Sequence, residues 1–230
     1  MLQAEGIARI FFRNGKGTNF FYAVEKTDFE LSEGSLTEIV GRSGSGKSTF
    51  ANMLAGLLTP TEGRVLLDGE DLYAMDDTAR SVLRNKKIGM IPQGQTALQS
   101  LTVMENVLVQ AAMYGHGAEH ADRAKDLLEQ MEIGRLADVY AGELSGGELR
   151  RLAIARALVM RPEILIADEP TGDLDDENTV RVMRLLREYA DAGAAVLMVT
   201  HEKEAAAYAD SVWRMEKGVL RRERGSLEAC

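Results

Sequence analysis

The chain has 230 residues, 45% apolar and 27% charged, with a net charge of −9. It is long enough for one large α/β domain or a domain with an inserted subdomain. The acidic balance argues against a general nucleic-acid binder, which carries a basic face, and no apolar run approaches the roughly 20 residues of a membrane span. The single cysteine, Cys230, excludes an internal disulfide framework and points to a reducing, cytosolic compartment; at the last position it reads as an unimportant terminus. The opening MLQAEGIARIFF lacks the basic region and long apolar core of a signal peptide.

The first 35 residues hold three strand-like runs, IARIFF, NFFYAV and TDFEL, with an NGKG turn between the first two. They predict a small antiparallel sheet. SLTEIV then leads to Gly41, and a helix is expected over about 47–58. Further apolar runs are RVLL (64–67), KIGMI (87–91), EILIAD (163–168), AAVLMV (194–199) and SVWRM (211–215). Several are nearly continuous, as strands covered on both faces are. Helices are expected near 119–133, 146–160 and 177–192; in the last, Val180, Met183, Leu186 and Tyr189 recur at helical spacing. This alternation predicts an α/β fold, a mostly parallel sheet with helices on both sides. Between about 94 and 160 strand signals stop, which suggests a helical subdomain inserted within a single domain spanning 1–230. HGAEH at 116–120 spaces two histidines by four, but Gly115 and Gly117 make it a solvated loop rather than a metal site.

The run Gly41-Arg42-Ser43-Gly44-Ser45-Gly46-Lys47-Ser48-Thr49 follows a strand, opens a helix and fits the phosphate-binding pattern G-x-x-x-x-G-K-[ST]. Glycines let the backbone wrap around phosphate, and the N–H groups of residues 44–49 point inward. The helix adds its positive dipole end. Lys47 reaches the β- and γ-phosphates, and the Ser48 hydroxyl is a hard ligand for Mg²⁺. Such a protein needs an acid at the end of a neighbouring strand. EILIADEP supplies Asp168 to position Mg²⁺ and Glu169 as the general base or the group that orients the attacking water.

ELSGGELRR (143–151) poses a separate problem. Ser145 and Glu148 form a capping box for the run LRRLAIARAL, yet Gly146 and Gly147 weaken a helix start. Bare N–H groups at a helix N-terminus suit an anion.

Taken together, these motifs resemble the ATP-binding cassette (ABC) ATPases, the nucleotide-binding subunits of ABC transporters, over nearly the whole chain. GRSGSGKST resembles the Walker A loop, ILIADE the Walker B strand, LSGGE the signature, TGDLD (171–175) the D-loop, Gln93 in IGMIPQG the Q-loop glutamine and His201 in VTHE the switch histidine. ADEPTGDLD and SLTVMENV resemble the branch of macrolide exporters, lipoprotein-release ATPases and the cell-division ATPase. Two positions depart from the commoner pattern. Glu148 stands where Gln is more usual, adding negative charge near the nucleotide, and Pro92 precedes Gln93 where an aromatic is frequent.

The resemblance implies a P-loop NTPase core with an N-terminal antiparallel β-subdomain and an inserted α-helical subdomain. It implies ATP and Mg²⁺ as ligands and a head-to-tail dimer with ATP at the interface. Lys47, Gln93 and His201 would meet the γ-phosphate from one chain, and Ser145 and Gly147 from the other. Asp175 would link the two sites, Gln93 would sense Mg²⁺, and Phe11, with Phe12 next in order, would stack on adenine. The implied partner is an integral membrane permease on whose cytoplasmic face the cassette sits; no nucleic acid is expected. The competing readings are a non-transport ABC ATPase, against which stand the single cassette and the short, heptad-free stretch between Ser48 and Ser145, a small-molecule P-loop kinase, which leaves the signature and His201 unexplained, and a regulatory binder with little turnover.

Overall fold

The computed structural model describes residues 1–12 and 20–223, the side chains of 203 and 204 excepted. The NGKG turn and Cys230 lie outside the described residues. β1 (Leu2–Phe12) and β2 (Phe20–Leu31) pair antiparallel, and FFYAV and TDFEL lie in one continuous strand. β3 (Leu36–Val40) leaves for a second sheet. β4 (Glu62–Leu67) returns to pair antiparallel with β1 and with the short β5 (Glu70–Asp71), giving the order β2-β1-β4-β5. RVLL therefore belongs to the small antiparallel sheet and not to the main one. Val65 and Leu67 are buried while Leu66 between them is only half-buried. A four-residue apolar run is too short for its periodicity to reveal that one face is open.

The second sheet adds β6 (Ile88–Ile91), β7 (Ile164–Asp168), β8 (Ala195–Thr200), β9 (Ser211–Glu216) and β10 (Val219–Arg222), in the order β10-β9-β3-β8-β7-β6. All its pairs are parallel except the β9–β10 edge. Every residue of β7 and β8 is buried, which accounts for their unbroken apolar sequence. Alternate side chains serve two cores. Ile164 and Ile166 pack with Phe50, Met53 and the small sheet, whereas Leu165 and Ala167 pack beneath the helical region.

The helices are α1 (Lys47–Leu54), α2 (Asp77–Lys87), α3 (Val103–Met113), α4 (Ala121–Gln130), α5 (Gly146–Leu158) and α6 (Asp176–Asp191). Nothing in the apolar pattern signals α2, because none of its residues is fully buried; Asp76 caps it by accepting from the Ala79 N–H. α3 starts on a capping box formed by Thr102 and Glu105, the kind of cap that contributes about 1 kcal/mol. The buried Asn106 accepts from the Leu98 N–H and donates to the carbonyls of Leu98, Leu101 and Thr102, which fixes the loop between β6 and α3. Residues 117–120 form a 3₁₀ turn, with His116 against the Glu119 carboxylate.

Glu38 is an anomaly within β3. It is fully buried between β8 and β9, and neither carboxylate oxygen has a partner among the described residues. Burial, and secondarily the charge of Glu223, pushes its pKa up to about 7. The native chain therefore holds a proton that the unfolded chain releases above its ordinary value near 4.5. Stability should fall as pH rises from there to about 7 and then level off. Glu38→Gln should abolish that slope and raise stability at pH 8 by about 3 kcal/mol, with little change at pH 4. Denaturant unfolding of both proteins across this range checks it. An equal slope in the variant would contradict it.

Candidate active site

The parallel strands β3, β7 and β8 end together, so the loops that follow them meet at one edge of the sheet, where ligands of open α/β sheets sit. After β3 the chain makes the turn 41–46 and enters α1. Gly46 is the N-cap residue, with φ 111° and no side-chain cap bond. A Cβ there would lie 2.0 Å from the Ala23 carbonyl oxygen, so only glycine fits. Gly44 has φ 75° and faces open space. The first-turn N–H groups of α1 have no intrahelical acceptor and point outward with the helix dipole. Lys47 is 7% exposed, and its ammonium donates back to the carbonyls of Gly41 at 2.7 Å and Arg42 at 3.3 Å. The Ser45 hydroxyl is buried without a partner.

Asp168 ends β7 at 2% exposure. Its Oδ1 has no partner, and the nearby Ser48 hydroxyl favours the charged carboxylate. Burial raises its pKa; the like charge of Glu169 adds to the rise, and Ser48, Lys47 and Arg150 oppose it. An unpaired buried carboxylate oxygen beside a serine hydroxyl is the donor set of a hard divalent cation. No group of three or more potential His, Cys, Asp or Glu ligands occurs among the described residues. Phosphate oxygens and water would thus complete the shell. Ser48 and Asp168 fit Mg²⁺ on these grounds.

Glu169 has φ 52°, unusual for a residue with a Cβ. Its N–H donates to the Val199 carbonyl at 2.7 Å, and its Oε2 lies 2.9 Å from His201 Nδ1. The left-handed backbone turns the carboxylate out of the strand direction toward the loop after β8. A cleft of about 1100 Å³ gathers the phosphate loop, Glu169 and His201, while Gly41 and the buried Asp168 are not among its lining residues. Its walls include residues 42–49 with Gln93, Glu169 and His201, and Phe11 with Phe21 and Tyr22. Phe11 stacks on Phe21 at 5.9 Å and carries the Arg9 guanidinium 4.7 Å over its ring. Phe12 is 78% exposed and lies outside the cleft lining.

Ser145, Gly146, Gly147 and Glu148 do not line this cleft. They open α5 with the expected capping box: the Glu148 carboxylate accepts from the Ser145 N–H at 2.9 Å and from its hydroxyl at 2.7 Å. These bonds to Ser145 hold the Glu148 pKa below its ordinary value. The charge of Glu148 is thus spent on its own helix start. Asp175 is also outside the cleft and caps α6 by accepting from the Asn178 N–H at 2.8 Å. Arg150, Asp173, Phe21 and Lys217 line the cleft and were not legible as site residues. The sequence hinted at two of them only through the arginine pair after SGGE and the FFY run of β2.

Known proteins decide what this site belongs to. The sequence profile described as ABC transporter matches residues 24–172. The chain belongs to the ABC transporter family. It is an ATP-binding cassette of the kind that serves as a transporter's ATP-binding subunit. It is 38% identical over 222 residues to the lipoprotein-releasing system ATP-binding protein LolD of Shewanella frigidimarina, covering 96% of the cassette and 92% of that protein. LolD of Psychrobacter arcticus is 40% identical over 221 residues, covering 95% and 96%. Among solved structures, the dimeric post-hydrolysis state of the ATP-binding cassette MJ0796, bound to ADP and Pi, superposes with a TM-score of 0.91 at 32% identity, over 97% of the cassette and 98% of that chain.

Proposed function

We propose that the cassette hydrolyses ATP between two copies of itself and passes the resulting closure and opening to an integral membrane partner. The observation that carries this reading is the division of the phosphate-binding parts. Lys47, Ser48, Glu169, Gln93 and His201 converge on one cleft, while the bare helix start Ser145-Gly146-Gly147 stands outside it. A second phosphate-binding surface outside the chain's own cleft is complementary to another chain's ATP. The solved dimeric cassettes of similar fold support it.

In this reading the P-loop amides and Lys47 hold the β- and γ-phosphates, and Phe11 stacks on adenine. Glu169 accepts a proton from the attacking water or orients it, with His201 holding the carboxylate in place. Ser48, Asp168 and Gln93 would hold Mg²⁺, which when bound neutralises phosphate charge. The remainder of catalysis is positioning and preorganised charge. Among the described residues no helix is long and apolar enough to cross a membrane. We infer a peripheral place on the cytoplasmic face, held by the membrane subunit. The LolD relatives make lipoprotein release the first transport function to test; pull-down from solubilised membranes would identify the partner.

Gly147→Trp tests the division directly. It should leave ADP affinity within about threefold of wild type and remove at least nine-tenths of turnover together with its cooperativity in ATP. If nucleotide binding and turnover fell together, the helix start would be a structural cap and nothing more.

A further inference from the structure

The arginine that follows the capping box by two positions has no role in the reading above, yet it is as enclosed as Lys47 among the cations that line the cleft. Arg150 sits on α5 at 6% exposure. Its Nη1 donates to the Pro92 carbonyl at 2.9 Å and its Nε to the Gly172 carbonyl at 3.4 Å. Pro92 directly precedes Gln93, and Gly172 closes the turn whose N–H donates to the Glu169 carbonyl. The guanidinium also lines the nucleotide cleft. The charged groups around it are Asp168, Glu169 and Asp173, with Lys47 acting on Asp168 and His201 on Glu169 from the other loops. One side chain of the helix that begins at Ser145 thus ties down the loop after β6 and the turn after β7.

We propose that Arg150 is a positioning residue: it fixes Gln93 and Glu169 relative to α5, so that the helix whose start faces a partner's nucleotide is tethered to the catalytic loops of its own site. The planar guanidinium presents its donors in a rigid fork, whereas an ammonium is a point charge whose donors rotate on a flexible stem. One guanidinium bonded to a carbonyl of each loop couples their positions, because a shift of either loop lengthens a charge-assisted hydrogen bond. The consequence for turnover rests on the function proposed above; the tether itself does not.

The test compares Arg150→Gln and Arg150→Lys in the full chain. ADP affinity should stay within about threefold of wild type for both. At saturating MgATP, Arg150→Gln should lose at least tenfold in kcat, and Arg150→Lys should fall between it and wild type. Hydrogen exchange, read without turnover, should speed up at residues 93–95 and 172–174 and stay unchanged in β7 and β8. Wild-type kcat in Arg150→Gln, or unchanged exchange in both loops, would overturn the proposal. If Arg150→Gln does not fold, Arg150→Lys decides by the same exchange readout. A wild-type protein without ATPase activity would count against the proposed function, while the exchange result would still decide the tether.

Discussion

Glu169→Gln should bind ATP as the wild type does and hydrolyse it at least about 100-fold more slowly, the range expected when a positioned general base is lost. The substitution is nearly isosteric. The amide can still meet His201, so the 2.9 Å contact and the left-handed backbone at residue 169 have no reason to change. What disappears is the proton-accepting oxygen. It also removes the like charge that raises the Asp168 pKa, so Mg²⁺–nucleotide affinity should be equal or slightly tighter. Steady-state phosphate release and a nucleotide titration together check this. Wild-type turnover would show that the water is activated elsewhere.

Lys47→Ala should weaken ATP and ADP binding at least about 30-fold, since truncating one partner of a buried charge pair costs about 2–5 kcal/mol. Two losses combine. The phosphates lose their closest cation, and the carbonyls of Gly41 and Arg42 lose the donor that holds the turn closed. The fold should survive, because the ammonium belongs to neither hydrophobic core. Calorimetric titration reads the affinity and circular dichroism the fold. An unchanged dissociation constant in a folded variant would remove the P-loop from the nucleotide site.

The parts of the fold that sequence made legible are those where one physical requirement dominates. β7 and β8 must be apolar on both faces, and read so. The turn 41–46 must be glycine-rich, because at Gly46 a Cβ would strike the Ala23 carbonyl. The capping box of Ser145 and Glu148 is a purely local device, and it forms as read. What stayed hidden depended on tertiary context. β4 changes sheets because Leu2, Gln3 and Ala4 offer it an antiparallel edge, which a four-residue run cannot announce. α2 has no fully buried residue and packs Leu83 only partly against the core, so no broad apolar stripe marks it. Arg150 looked like one more charge on an amphipathic helix; only the approach of the Pro92 and Gly172 carbonyls, 58 and 22 residues away in sequence, gives it two acceptors. Strand alternation separates Phe11 from Phe12, and the cross-strand partner completes the difference: Phe11 lies on Phe21 and lines the cleft, whereas Phe12 is exposed.

The central claim is that SGGE completes another chain's ATP site. Sedimentation velocity of Glu169→Gln tests it most directly, because slow hydrolysis preserves whatever ATP assembles. The protein should sediment as a monomer without nucleotide or with ADP, and as a dimer with MgATP, and Gly147→Trp in the same background should abolish the dimer. A Glu169→Gln protein that binds MgATP yet remains monomeric at concentrations where the wild type hydrolyses cooperatively would contradict the claim.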